Sequence, residues 1–371
     1  MATKTVINPL FQISLIAPYA ESLGATDMVI GVVASAFAIT ALLLKAVSAP
    51  AIDALNKKMI LFFSMLVLAV SYLGFGMSNT VPGVMVFRLL QGAAKAFTAT
   101  CCLAMATDSL PLEKLGKGIA MFSLGQAISQ AIGPTAGKFI QGAMGYQITF
   151  FVASAVMAVG SLAALAVRVL PISKKPFRIS VNSIVAKEAL PSAIVLMLLA
   201  CSFSLIASFL YTYASERLSS EAYTYIGFYF TIYAVVLLIS RPLIGALTDR
   251  YSIAVVTVPA MGCFALSFFL LAFAQNLALF FLSAFVSAFG YGACQSAFNA
   301  LCMRLVPPER RGAGSCTCYI GVDAGYLIGP ILGGAVASVM GRQAMWLVMT
   351  LPIFLAALFT MTYLRKSRNK E

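Results

Sequence analysis

The chain is a succession of long apolar stretches separated by short polar turns. A helix that crosses a bilayer needs about 20 predominantly apolar residues. On that measure the pattern predicts twelve spans, at about 5–21, 28–50, 59–78, 83–107, 116–138, 146–170, 190–214, 222–246, 252–273, 277–302, 313–338 and 342–364. Most connections are short, so neighbouring helices are expected to run antiparallel. One segment breaks the pattern: Pro171-Ile-Ser-Lys-Lys-Pro-Phe-Arg-Ile-Ser carries two prolines and three positive charges. It divides the chain into an expected N-terminal bundle at 1–170 and C-terminal bundle at 190–366, with a basic linker at 171–189 and a tail at 367–371. The expected fold is an all-α integral membrane protein of twelve transmembrane helices in two six-helix bundles.

The two bundles repeat each other at an offset of 196 residues. The shift pairs Lys45 with Arg241, Asp53 with Asp249, Ile30-Gly31 with Ile226-Gly227, and Gly133-Pro134 with Gly329-Pro330. It also pairs Pro111 with Pro307, Glu113 with Glu309, and Gly116, Gly118, Gly125, Gly137 and Gly145 with Gly312, Gly314, Gly321, Gly333 and Gly341. No gap is needed from about 30 to 147. Two related membrane halves suggest one device, a pair of pseudo-symmetric bundles rocking around a central site.

Composition agrees with a lipid environment: 61% of residues are hydrophobic, 10% are charged, and mean hydropathy is +0.95. Twelve spans leave almost nothing of the 371 residues for a soluble domain. The formal charge of +13 raises the question of a nucleic-acid partner, but the placement of the charges answers it otherwise. With the N-terminus inside, Lys57, Lys58, Lys114, Lys117, Lys174, Lys175, Arg178, Lys187, Arg250, Arg304, Arg310, Arg311 and the basic tail all fall on the cytoplasmic side. Lys138, Arg217 and Arg342 are the outer exceptions. This bias predicts cytoplasmic N- and C-termini in a cell membrane. The expected partners are the bilayer and a small organic solute, with no nucleic acid, and a monomer is expected. No cleavable signal pattern is present, so the first span should stay in the membrane. That span starts almost at Met1, which leaves open a shortened first helix or an upstream start.

Chemistry is sparse. There is no histidine, so proton chemistry near neutral pH falls to carboxylates and lysines. The eight cysteines sit in or at spans without metal-ligand spacing and read as packing residues. No phosphate-binding G-x-x-x-x-G-K-[ST] loop occurs, which excludes ATP as a direct energy source, and no catalytic or metal constellation is visible. No cofactor is expected, and the chain is not expected to be an enzyme.

The loop after span 8 reads Arg241-Pro-Leu-Ile-Gly245-Ala-Leu-Thr-Asp249-Arg250. It closely resembles the R-P-x-x-G-x-L-x-D-R signature of the major facilitator superfamily. The loop after span 2, Lys45-Ala-Val-Ser-Ala-Pro-Ala-Ile-Asp53, is a degraded copy. Family members usually keep the stronger copy in the first half. Together with the span count, the repeat and the basic linker, the resemblance covers essentially the whole chain. It implies a cytoplasmic gate in which Asp53 faces the N-terminus of span 11 and Asp249 that of span 5, where the helix dipole favours a carboxylate. The plainer reading, two solvated loop charges, stays open.

In span 4, Arg88-Leu-Leu-Gln91-Gly92 resembles the R-x-x-Q-G element of drug:proton antiporters in that superfamily. Lys95 follows on the same helical face. Two cations on a lipid-facing stripe would cost several kcal/mol, so this face is expected to look into protein or a watery cavity. Lys95 departs from the small residue usual there and hints at an anionic partner. Gly125, Gly133, Pro134 and Gly137 in span 5 resemble the antiporter glycine–proline motif, with a fuller copy at Gly321, Gly325, Gly329 and Pro330 in span 11. These read as packing and hinge positions. Asp323 stands near mid-membrane in span 11, a candidate protonation site or counter-ion of Lys95; a neutral acid bonded to backbone or tyrosine is the other reading. Tyr291, Gln295 and Asn299 form a polar stripe on span 10, and Gln126 and Gln130 lie on span 5. Tyr229, Tyr233, Asn8 and Gln12 are weaker cavity candidates that serve equally well as interhelical contacts.

The resemblance implies a secondary active transporter working by alternating access, with protons as coupling ion and efflux of a drug or metabolite. Uptake or exchange of an organic anion is the alternative within transport. A transporter-like receptor or scaffold that does not transport is the alternative outside it.

Overall fold

Hydrocarbon offers no hydrogen bonds, so a chain this apolar must satisfy its backbone internally, and helix is the local solution. The computed structural model describes residues 15–108, 115–166, 185–306 and 311–368, and every regular element among them is helical. In chain order they are α1 (Ile16–Ser22), α2 (Asp27–Ala54), α3 (Lys57–Met77), α4 (Val81–Asp108), α5 (Leu115–Leu165), α6 (Leu190–Arg217), α7 (Ser220–Thr224), α8 (Phe228–Arg250), α9 (Ile253–Ala272), α10 (Leu277–Ser287), α11 (Ala293–Leu305), α12 (Arg311–Met340), α13 (Arg342–Val348) and α14 (Leu351–Arg368). Among the described residues, eight segments are long and apolar enough to cross a membrane. Most of the first expected span and of the basic linker lies outside the described residues.

Several boundaries differ from the sequence expectation for local reasons; span 8, expected at 222–246, is divided between α7 and α8, which begins at Phe228 and runs to Arg250. Expected spans 5 and 6 form one run, α5, whose direction changes at Gly145 (φ 81°, ψ 174°). Span 10 is interrupted by a π-turn at Ala288–Gly292 between α10 and α11. The last span divides into α13 and α14 around Met349-Thr350. Gly341 enters α13 at φ 86°, 196 residues after Gly145, and only glycine adopts that backbone without strain. The repeat read from side chains therefore also exists in the backbone.

The chain forms two compact units, residues 1–25 with 36–179, and residues 26–35 with 180–371. In the first unit α3 packs against α4 and α5. Its core contains Tyr72, Phe75 and Phe150, all nearly inaccessible, and the Tyr19 hydroxyl donates to the Ser78 carbonyl at the end of α3. Tyr19 meets Phe150 edge-on at 5.2 Å. A second cluster joins Ile52, Leu61, Met65, Cys101, Met105 and Ala164, and the Cys101 thiol donates to the Lys57 carbonyl at 3.0 Å.

The second unit repeats the device. Tyr213 donates to the Ala272 carbonyl at 2.8 Å, near the end of α9, and meets the buried Trp346 edge-on at 5.8 Å. Trp346 is the repeat partner of Phe150. Its tightest seam is α12 against α6. A β-carbon at Gly321, Gly325 or Gly329 would collide with the carbonyls of Ala193, Met197 or Cys201, so small residues every fourth position let two helix backbones touch. The first turns of α2 also belong to this unit: Gly31 lies against the Pro330 carbonyl and Gly334 against that of Asp27.

Candidate solute-binding sites

In the first unit, α2 and α4 approach closely at Gly92. Gly92 lies directly on the Phe37 carbonyl, and Thr40 donates to the Leu89 carbonyl at 2.7 Å. The contact places the Phe37 ring beside the polar face of α4. Arg88 stands over that ring at 4.7 Å and Lys95 at 4.5 Å, so two cations seven residues apart converge on one aromatic face. Arg88 is 4% exposed and Gln91 is inaccessible. An Arg88 nitrogen donates to Gln91 Oε1 at 2.6 Å. That bond turns the Gln91 amide nitrogen away from Arg88, and it has no hydrogen-bond partner. The Tyr72 hydroxyl from α3, beside Arg88 and Gln91, makes no bond of good geometry either.

In the second unit the corresponding place is aromatic. The π-turn delivers Tyr291 into a parallel stack on Phe203, with centroids 4.1 Å apart and planes at 4°. Tyr233 lies 5.4 Å and Tyr326 6.5 Å from the Phe203 ring, and Phe264 closes on Tyr291 at 5.6 Å. The half-buried Asp323 lies near Tyr291 and Tyr326. A π-turn lengthens one helical turn and re-aims its side chains, and such turns are frequent at functional sites. Gln295 is half-buried and Asn299 exposed on the same stripe.

A family model described as Major Facilitator Superfamily matches residues 1–317 and 192–371. The chain belongs to that superfamily. It is thus a multi-pass membrane protein of a transporter family and not an enzyme. It is 25% identical to the multidrug resistance protein MdtG of Salmonella paratyphi C, over 96% of this chain and 92% of that protein. It is 22% identical to the staphylopine export protein of Staphylococcus aureus, over 93% and 89%. A crystal structure of the nucleoside transporter NupG superposes with a TM-score of 0.78 at 16% identity, covering 98% of this chain and 96% of that one. The bacterial homologue of the lysosomal transporter Spinster, inward-facing and unoccupied, gives 0.77 at 15%, covering 96% and 93%.

The transporter's candidate residues are brought together only in part. Arg88, Gln91 and Lys95 come together on Phe37 in the first unit, and Tyr291 and Asp323 come together in the second. Tyr229 is a core contact: it is inaccessible, and Ser283 donates to its hydroxyl at 3.3 Å. The side chains of Asp53, Arg241, Asp249, Arg250 and Gln126, and the surroundings of Gly125 and Gly245, lie outside what the structure describes, as do Asn8 and Gln12. Lys45 is half-buried on α2. Pro134 is buried within α5 with Gly133 and Gly137 beside it, and Pro330 is buried within α12.

Sequence reasoning missed Phe37, Tyr72 and Phe203. Phe37 could have been found through the repeat, because its partner is the named candidate Tyr233. It also missed an ion-pair cluster in the second unit. Arg342 reaches Asp27 and, through Nη1, Glu216 at 2.8 Å and the Thr212 carbonyl at 3.1 Å. The signal was there: Arg342 is one of three cations on the side where cations are scarce, and a cation so placed calls for partners.

Proposed function

We propose that the chain exports a small organic solute across the cell membrane in exchange for protons, by alternating access. The observation that carries this reading is Asp323, a half-buried carboxylate within the apolar helix α12, set against Tyr291 and Tyr326. An ionisable group within a membrane span is a candidate for coupling proton binding to a conformational change. Likeness to a multidrug resistance protein and an export protein supports the outward direction. So does Arg88-Leu-Leu-Gln91-Gly92, the element shared with drug:proton antiporters. The aspartates Asp53 and Asp249, in matching loops of the repeat, are proposed as the cytoplasmic gate. The Lys and Arg bias supports cytoplasmic termini, and we propose a monomer in the cell membrane.

Uptake or exchange of an organic anion is a second reading, favoured by Arg88 and Lys95 on one face. Direction separates the two. Expression should lower the cellular accumulation of a member of a dye and drug panel, and Asp323→Asn should restore it while keeping membrane expression. Raised accumulation of an organic acid on expression would favour the second reading.

A further inference from the structure

The repeat supplies an internal control for the charged face of α4. The five positions Phe37, Tyr72, Arg88, Gln91 and Lys95 correspond, 196 residues on, to Tyr233, Phe268, Ala284, Ser287 and Tyr291. Both sets are packed into their own units: Phe268 and Ala284 are inaccessible, and Tyr233 and Tyr291 are almost so. The second unit therefore builds this corner without an ionised group at any of the five positions. Packing alone does not call for Arg88 or Lys95.

The hydrogen-bond balance differs as well: the second corner leaves one buried hydroxyl, Ser287, without a bond of good geometry, whereas the first sets its poorly satisfied groups beside two cations. Its one amide acceptor, Gln91 Oε1, is taken by Arg88 at 2.6 Å. What is left is the Gln91 amide nitrogen, a donor, and beside it the Tyr72 hydroxyl, which can donate; neither is in a hydrogen bond of good geometry. Gln91 is fully inaccessible and Tyr72 is 1% exposed. A buried polar group without a partner is costly, and such a group in a native fold needs an explanation. Two poorly satisfied donors beside two cations suit an acceptor that carries negative charge.

We propose that Phe37, Tyr72, Arg88, Gln91 and Lys95 form a binding site for the compact anionic group, a carboxylate in class, of the transported solute. The Gln91 amide and the Tyr72 hydroxyl donate to its oxygens, and the Arg88 and Lys95 charges supply the field. The Phe37 ring lies against both cations and sets them on one side of the site. This inference rests on the reading that the chain carries an organic solute; it adds that the solute bears an acid, whichever way it moves.

Binding at equilibrium tests it without reference to proton coupling. The full chain, in phosphatidylcholine nanodiscs with no pH gradient, is titrated with matched pairs of aryl and alkyl monocarboxylates and their primary amides, beginning with 3-phenylpropanoate and 3-phenylpropanamide. Thermal shift serves as the screen and calorimetry gives the constants. At least one acid should bind about tenfold or more tightly than its amide, the size expected of hydrogen bonds to a charged group. Lys95→Gln should remove most of that preference and leave amide binding in place. Arg88→Gln should do the same; Lys95 is only half-buried, so its variant keeps the test sharp if the Arg88 variant does not fold. Equal binding of acid and amide across the series, or an acid preference unchanged in Lys95→Gln, overturns the proposal. So does loss of the acid effect when phosphatidylglycerol is added to the nanodiscs, which would assign the site to lipid headgroups. A failure here leaves proton-coupled export standing, and a failure of proton coupling leaves this binding preference standing.

Discussion

Arg342 grips Asp27 with two guanidinium nitrogens, Nε and Nη2, each 2.8 Å from Oδ1. The side chains are 10% and 20% exposed, whereas Glu216, held by Nη1, is 50% exposed. A screened, exposed pair contributes little, and a sheltered one leaves a costly unpaired charge when broken. Arg342→Gln should therefore lower the thermal midpoint of the purified protein by an amount reflecting about 1–3 kcal/mol. Glu216→Gln should cost no more than about 0.5 kcal/mol. Equal effects from the two variants would mean that Asp27 is not the main partner.

Close packing of α12 on α6 makes a second prediction. Gly325→Ala would drive a methyl group into the Met197 carbonyl and should reduce folded yield and thermal stability. Gly262→Ala on α9 meets nothing within 4 Å and should be neutral or gain up to about 1 kcal/mol from helix propensity. Thermal melts of the two variants check the contrast, which a general intolerance of alanine would not produce.

The paired left-handed glycines make a third. Gly145 and Gly341 adopt φ 81° and 86° with open space around them, so backbone strain alone should set the cost of alanine. Each substitution should cost about 1–3 kcal/mol, and by similar amounts, because ψ near 160–174° puts both in a region open almost only to glycine. Thermal melts of the single variants test it; a neutral result at either glycine would mean that its backbone relaxes.

The tyrosine hooks make a fourth. Tyr213 donates to Ala272 at 2.8 Å, and Tyr19 donates to Ser78, each joining one helix of its unit to the end of another across 59 residues. Tyr213→Phe and Tyr19→Phe should each cost about 0.5–1.5 kcal/mol, because each leaves the ring packed and removes one bond. Stability measured on the single variants would show an isolated loss at one hook if only one carries weight.

How much of this was legible in the sequence depended on whether the signal was periodic or long-range. Spans were legible because an apolar helix long enough for a bilayer leaves an unmistakable run, as in Lys57–Met77. The repeat was legible because glycines and prolines mark backbone geometry, and Gly145 with Gly341 shows that the geometry was duplicated along with the letters. The common face of Arg88, Gln91 and Lys95 followed from helical spacing. Their meeting with Phe37 and Tyr72 did not, because those residues arrive on other helices, Phe37 through the close contact at Gly92. The π-turn that carries Tyr291 was invisible too: its local sequence, Ala-Phe-Gly-Tyr-Gly, fits an ordinary helix weakened by glycine. Asp27 and Arg342 lie 315 residues apart, and no local pattern announces that pairing.

Proton-coupled export by an acid in α12 is tested most directly by proton movement itself. Proteoliposomes holding the purified chain and an internal pH probe are given candidate solutes on one side. The account predicts that a transported solute drives a proton flux in the opposite direction, which Asp323→Asn abolishes while solute binding persists. Transport of that solute with no accompanying change in internal pH, or a full proton flux in Asp323→Asn, would contradict it.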